Sequence, residues 1–316
     1  MRVLITGAGG FIGARLVQLA TARGRIGNRA ITALALADQR LEAVPAGAVA
    51  LAGDLGSPEL LQRVADFAPD VCFHLAAVPG GASEADYALG RRVNLDTTLA
   101  LFETLAAGGR KPVVVYASTI AVYGTNLPAL VTPATPLRPP ITYGAHKLAS
   151  EILLADFSRR GLLDGRSLRL PGIVARARAP AGLASAFMSD ILHALKAGER
   201  YACPVSPEAT AWWMSAWRCA ENLLHAAAMD VAGADSARAW PLPVLRLSMA
   251  QVVDTLVGLY GADRRDMVDY APQPALEAVY GRYPVLDDTA ARALGLQDDG
   301  SAQDLVRRAL APHPDE

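Results

Sequence analysis

Tyr143 and Lys147 stand four residues apart in the run Tyr143-Gly144-Ala145-His146-Lys147, at the start of a stretch, Tyr143–Arg160, whose apolar spacing predicts a helix. Residues i and i+4 share one helical face, so the Lys147 ammonium can lie beside the Tyr143 phenol and favour its phenolate. A phenol with an ordinary pKa of about 10 is a poor base at neutral pH, and a neighbouring cation corrects that. The chemistry on offer is removal of a proton from a hydroxyl group. Lysine is scarce here: Lys111, Lys147 and Lys196 are the only three, against 27 arginines, so the compact ammonium at 147 stands out against a planar guanidinium fork. Upstream, Val113–Gly124 reads VVVYASTIAVYG and puts Ser118 and Thr119 at the carboxyl end of an apolar strand. A hydroxyl there can orient the oxygen that loses its proton.

A second constellation, Gly7-Ala8-Gly9-Gly10-Phe11-Ile12-Gly13, lies between a strand at Arg2–Thr6 and a helix at Phe11–Arg23. Missing side chains permit a tight turn and close approach of a pyrophosphate, and the helix N-terminus supplies N–H donors and partial positive charge. Asp38 closes the second strand, where a dinucleotide fold places the carboxylate that takes the ribose hydroxyls. A carboxylate there repels a 2′-phosphate, which points to NAD, while Arg40 nearby leaves NADP open. Asp54 and Leu55 are candidates to bracket the adenine, although Gly53-Asp54 also reads as a plain turn.

These residues need a frame that brings loop ends together. Strand-like runs at Arg2–Thr6, Ile31–Ala37, Ala48–Ala52, Val71–Leu75, Val113–Ala117 and Ser167–Pro171 alternate with helical spacing at Phe11–Arg23, Leu60–Phe67, Arg92–Ala106 and Tyr143–Arg160. That alternation predicts an α/β fold, a Rossmann-type doubly wound parallel sheet with its ligand crevice beyond the strands' carboxyl ends. After Pro171 the rhythm changes to Pro-, Gly- and Ala-rich loops with separate helices at Ser185–Lys196 and Trp217–Met229. The division expected is an NAD-binding domain at 1–170 and a smaller, mainly substrate-binding domain at 171–316. Asp287–Leu296 reads as a helix ending at Gly295, followed by a polar, loop-like tail.

Composition narrows the partners. Hydrophobic residues make up 52% of the 316 and charged residues 19%, which supports a large buried core and excludes disorder. Lys+Arg 30 against Asp+Glu 31 leaves a net charge of −1, without the basic excess that nucleic acid or an anionic membrane surface needs. Cys72, Cys203 and Cys219 are scattered singly, with neither disulfide nor metal-ligand spacing. No signal peptide and no run near the roughly 20 apolar residues of a membrane span is visible, so the expectation is a soluble, cytoplasmic protein.

With these motifs assembled, the chain resembles the extended short-chain dehydrogenase/reductase superfamily, the NAD-dependent epimerase/dehydratase family. The likeness rests on GAGGFIG at Gly7–Gly13, GDL at Gly53–Leu55, HLAA at His74–Ala77, VNLDTT at Val93–Thr98, STIAVYG at Ser118–Gly124, YGAHK at Tyr143–Lys147, RLPGIV at Arg169–Val174 and ARALGL at Ala291–Leu296. It implies Thr119, Tyr143 and Lys147 as the catalytic trio, with Ser118 beside them. It also implies that Leu75, Ala76, Ala77 and Asn94 line the nicotinamide ribose and its surroundings, and that Pro171, Ile173 and Val174 lie beside the nicotinamide ring. Gly172 stands where many members carry asparagine. A narrower likeness of Asp156–Pro180 and of CPVSP at Cys203–Pro207 is to members that oxidise the C2 hydroxyl of a small sugar acid with NAD. A hydroxy acid needs a cation for its carboxylate, and Arg176, just past the nicotinamide segment, is the candidate. The alternative is a nucleotide-sugar epimerase or dehydratase that recycles its NAD. Such enzymes usually read the diphosphate with C-terminal basic residues, and Tyr280–Pro284 offers one, Arg282. The resemblance also implies a homodimer through the helices Arg92–Ala106 and Tyr143–Arg160.

Overall fold

In the computed structural model, which describes residues 1–178 and 185–312, the strands that position the site are β1 (Arg2–Thr6), β2 (Ala33–Asp38), β3 (Val49–Ala52), β4 (Val71–His74), β5 (Val113–Thr119), β6 (Asp164–Leu170), β7 (Gly172–Val174), β8 (Thr210–Ser215), β9 (Ala239–Pro241) and β10 (Leu245–Ser248). Seven of them form one sheet in the order β9-β6-β5-β4-β1-β2-β3, every pair parallel. Helices cover both faces, which is why β1, β4 and β5 read as near-continuous apolar runs rather than alternating ones. The chain runs outward from β1 to β3, then returns to place β4 on the other side of β1. The reversal opens a crevice at the carboxyl ends of β1 and β4.

The first helix, α1 (Phe11–Arg23), buries Leu16, Val17, Leu19 and Ala20 and ends on Gly24 in the left-handed conformation, whose N–H closes onto Ala20 O at 3.0 Å. Its core continues into Trp217, Ala220 and Leu223 of a helix at Ala216–Ala226. The helix that carries Tyr143 and Lys147, α2 (Thr142–Arg159), packs on β6 and β5. A second core, with Phe187, Ile191, Trp213, Met249, Val252 and Leu305, lies under the small sheet β7-β8-β10, in which β7 and β8 run parallel and β10 antiparallel.

Three expectations change. The helix expected over Arg92–Ala106 opens with a π turn at Arg92–Asp96 before becoming regular over Thr97–Ala107. The one expected over Asp287–Leu296 shrinks to Thr289–Ala293, and the polar tail forms a helix at Ala302–Leu310. Ser301 caps that helix and Leu305 and Val306 are buried, so a narrow apolar stripe suffices although the composition is polar. β9, from the second part of the chain, completes the main sheet beside β6. Among the described residues no helix is long and apolar enough to cross a membrane.

Candidate active site

The glycine-rich loop sits at the crevice. Gly7 leaves β1 with φ +67°, and a Cβ there would lie 2.7 Å from the Ala76 nitrogen, so the loop after β1 and the loop after β4 touch main chain to main chain. A Cβ on Gly13 would collide with the Gly7 carbonyl, so only glycine lets the first turn of α1 pack against the loop. Gly10 caps α1 with no side-chain hydrogen bond and no acidic residue follows in the first turn, while Phe11 and Ile12 are half-buried. The free N–H groups and the positive helix end therefore face a space suited to phosphate. Asp38 is fixed at the same mouth: its Oδ2 accepts from Gly9 N at 2.9 Å and its Oδ1 from Gln39 N at 2.7 Å. These features fit a dinucleotide. Asp54 is exposed and its Oδ1 closes a turn with Gly56 N at 2.9 Å, while Leu55 is buried.

Leu75, Ala76 and Ala77 lie half-buried just past β4. A chain of hydrogen bonds that sequence reasoning missed holds them. Thr6 Oγ1 receives the main-chain N–H groups of Leu75 and Ala76 at 3.2 and 3.3 Å and meets His74 Nδ1 at 2.7 Å. His74 Nε2 meets Thr98 Oγ1 at 2.9 Å, and that hydroxyl donates to Asn94 O at 3.0 Å. Burial pushes the His74 imidazole down to about 3, with the Lys147 charge adding to it, so His74 is neutral. The directions of the other bonds assign its proton to Nε2. Asn94 does not extend into open space: its amide spans Val78, accepting from its N at 2.7 Å and donating to its O at 3.0 Å.

The expected trio converges on one end of the sheet. Thr119 is the last residue of β5, and its Oγ1 accepts from Ala121 N at 3.2 Å. Tyr143 sits half-buried in the first turn of α2. Burial pushes its phenol up to about 12 and the Arg176 guanidinium opposes that, favouring the phenolate. Lys147 is 2% exposed; its Nζ donates to Ala117 O at 2.7 Å and lies 4.6 Å from the Tyr116 ring centroid and 5.7 Å from that of Tyr143. Burial lowers its ammonium to about 7, against the pull of Glu151. Ser118 differs from its neighbour. Successive residues of a strand face opposite ways, and the buried Ser118 hydroxyl donates to the Glu151 carboxylate.

Arg176 follows β7, where Pro171 and Val174 are buried and Ile173 half-buried. Its main-chain N donates to Ser189 Oγ at 3.0 Å, His193 Nε2 donates to its carbonyl at 2.9 Å, and its guanidinium rests 5.1 Å from the Phe11 ring centroid. Among the described residues no carboxylate pairs with that guanidinium. A side chain at Gly172 would need Met188 to move aside: a Cβ would lie 2.5 Å from its Cε and 2.9 Å from its Sδ, with Trp212 O at 3.0 Å.

A model of the NAD dependent epimerase/dehydratase family matches residues 3–228. The chain belongs to that family. As a member of this epimerase/dehydratase family, it is an NAD-dependent oxidoreductase of the extended short-chain dehydrogenase/reductase type, with NAD as its cofactor. It is similar to D-erythronate dehydrogenase of Cupriavidus necator, at 37% identity over 97% of both chains, and to D-erythronate dehydrogenase of Haemophilus influenzae, at 29% identity over 98% of this chain and 99% of that one. Among solved structures it resembles the nucleoside-diphosphate-sugar epimerase from Agrobacterium tumefaciens, with a TM-score of 0.91 and 31% identity over 97% of this chain and 92% of that one.

Proposed function

We propose that this enzyme oxidises the C2 hydroxyl of a small sugar acid such as D-erythronate to the 2-oxo acid. The observation that carries the proposal is the Arg176 guanidinium, close enough to Tyr143 to favour its phenolate yet unmatched by any described carboxylate. Such a cation suits a substrate carboxylate one carbon from the reacting centre. The two D-erythronate dehydrogenases, similar from end to end, support the same substrate class.

Gly7, Gly10, Phe11, Ile12, Gly13, Asp38, Asp54, Leu55, Leu75, Ala76, Ala77, Asn94, Tyr143, Lys147, Pro171, Ile173 and Val174 would hold or line the NAD, and Arg176 with Thr119 and Tyr143 the substrate. NAD, when bound, supplies the acceptor for the hydride of the carbon that bears the hydroxyl. Tyr143, as phenolate, takes the hydroxyl proton, and Thr119 orients the oxygen. The Lys147 ammonium and the Arg176 guanidinium lower the cost of that phenolate. Ser118, expected at the substrate, instead supports the trio from behind through Glu151. Residues 171–316 mainly serve the substrate. The enzyme would act in the cytoplasm as a homodimer joined through the helices over Arg92–Ala106 and Tyr143–Arg160; the exposed Ile152 on α2, at 63%, and Tyr87 just before the first of these helices, at 61%, support that interface, and the mass in solution should be twice that of the chain.

Arg176→Ala is expected to raise KM for a four-carbon 2-hydroxy acid by about 10- to 100-fold, the range of one or two charge-assisted hydrogen bonds. NAD affinity should stay within a few-fold. Unchanged KM in steady-state kinetics would remove Arg176 from the substrate site.

One observation favours a second activity, nucleotide-sugar epimerisation: the likeness to the Agrobacterium protein. Arg282 is exposed, as such a site would need, but the nearby Arg246 is committed to the chain itself, its Nε donating to Tyr283 O at 2.8 Å.

A further inference from the structure

Behind the trio lies an ion pair that the chemistry above does not use. Glu151, one turn beyond Lys147 on α2, and Arg169 on β6 have side chains only 3% and 9% exposed. Arg169 Nη2 donates to Glu151 Oε2 at 2.8 Å and its Nε to Oε1 at 3.1 Å, a two-pronged contact. The same carboxylate accepts the Ser118 hydroxyl, and Ser118 lies directly across from Arg169 in the β5–β6 register. Arg169 Nη1 reaches on to the Tyr123 hydroxyl at 3.1 Å, just past the turn that follows Thr119. The ion pair thus ties together the end of β5, the turn after Thr119, β6 and the Lys147 segment of α2.

Stability does not explain this arrangement. Taking two charges out of water costs as much as their attraction returns, and a well-packed apolar pair of similar volume is often as stable or more so. We propose that the Glu151–Arg169 pair is a positioning clamp for the catalytic trio, needed for turnover and not for cofactor binding. It holds Thr119 in register with Tyr143 and Lys147, and it sets a fixed negative charge beside Lys147. The groups facing Lys147 are Tyr116 from β5, neutral His74 from β4, Tyr143 and Glu151 from α2, Arg169 from β6 and, beyond Tyr143, Arg176. Among these Glu151 is the anion that favours the ammonium.

The proposal rests on the assignment of Thr119, Tyr143 and Lys147 as the trio, and its test separates the two. Protein labelled with 15N-lysine has three side-chain signals, so the Lys147 titration can be followed without cofactor or substrate. Loss of the Glu151 charge should lower the pH at which Lys147 titrates, because that charge favours the protonated form. Three variants complete the set: Ser118→Ala, Glu151→Gln, and the double variant Glu151→Gln/Arg169→Gln, which leaves no unpaired buried cation should the single change unfold the protein. The double variant should melt near the wild type, bind NAD within a few-fold, and lose about 10- to 100-fold in kcat, the scale of a misplacement of about 1 Å. The alkaline limb of its pH–rate profile should move to lower pH, and Ser118→Ala should lose a smaller factor with KM unchanged. Return of kcat together with thermal stability in the double variant, or an unmoved Lys147 titration, would overturn the clamp. If the trio assignment itself were wrong, Tyr143→Phe would keep its turnover as well, whereas failure of the clamp alone leaves Tyr143→Phe inactive beside a fully active double variant.

Discussion

Tyr143→Phe is expected to lower kcat by about three orders of magnitude, within the range for loss of a general base, while NAD affinity stays within a few-fold. The change removes one oxygen and keeps the ring in the first turn of α2. In the proposed mechanism turnover needs the phenolate, and burial works against it by pushing the phenol up to about 12. The Arg176 guanidinium opposes that effect of burial, and in the proposed mechanism the Lys147 ammonium, 5.7 Å from the ring centroid, adds to that opposition. The acid limb of the wild-type pH–rate profile should therefore follow the ionisation of Tyr143, and its alkaline limb the loss of the Lys147 proton. Residual turnover in Tyr143→Phe comparable to wild type, or an unchanged pH dependence, would remove the phenolate from the mechanism.

Lys147→Met should lose turnover to a similar extent, about 100-fold or more, and should weaken NAD binding as well. The same change is expected to stabilise the cofactor-free protein. Lys147 is buried and its pKa is lowered from 10.5 to about 7, so the folded protein gives up a proton that the unfolded chain keeps. The unfolded state then binds more protons between about pH 7 and 10.5, and stability rises with pH across that window. Below about pH 7 the ammonium is buried at full cost. Methionine removes that cost, so Tm should rise at pH 6, corresponding to roughly 1–3 kcal/mol after the lost contacts to Ala117 O and the Tyr116 ring are counted. The gain should fade as the pH approaches 10.5. A Tm below wild type at pH 6 would show that the ammonium is better compensated in its site than its burial implies. Activity and stability are thus expected to change in opposite directions at this residue.

Much of this site was legible because its residues carry spacing. Tyr143 and Lys147 declare a helical face, and the glycines between β1 and α1 declare a phosphate loop, since both depend on local geometry that short sequence intervals fix. Boundaries were less legible. β5 runs to Thr119, two residues past the apolar stretch, because Ser118 and Thr119 still pair with Arg169 and Leu170 of β6. The C-terminal helix was hidden by its polar composition, and β9 is only three residues long and takes its place from β6. Glu151, Arg169, His74, Thr6 and Thr98 had no spacing to announce them as a group. Glu151 follows Lys147 by four residues, which in sequence reads as an ordinary surface pair. Only the packing of α2 against β5 and β6 turns it into a buried anion beside the Lys147 ammonium.

Oxidation with net release of reduced cofactor is read from the stoichiometry of NADH against product with D-erythronate as substrate. Absorbance at the NADH band and quantified 2-oxo acid should rise together, one for one, in the wild type, and neither should rise in Tyr143→Phe. Inversion of a nucleotide sugar with no net NADH, and no turnover of any small 2-hydroxy acid, would make the enzyme an epimerase and not a sugar-acid dehydrogenase.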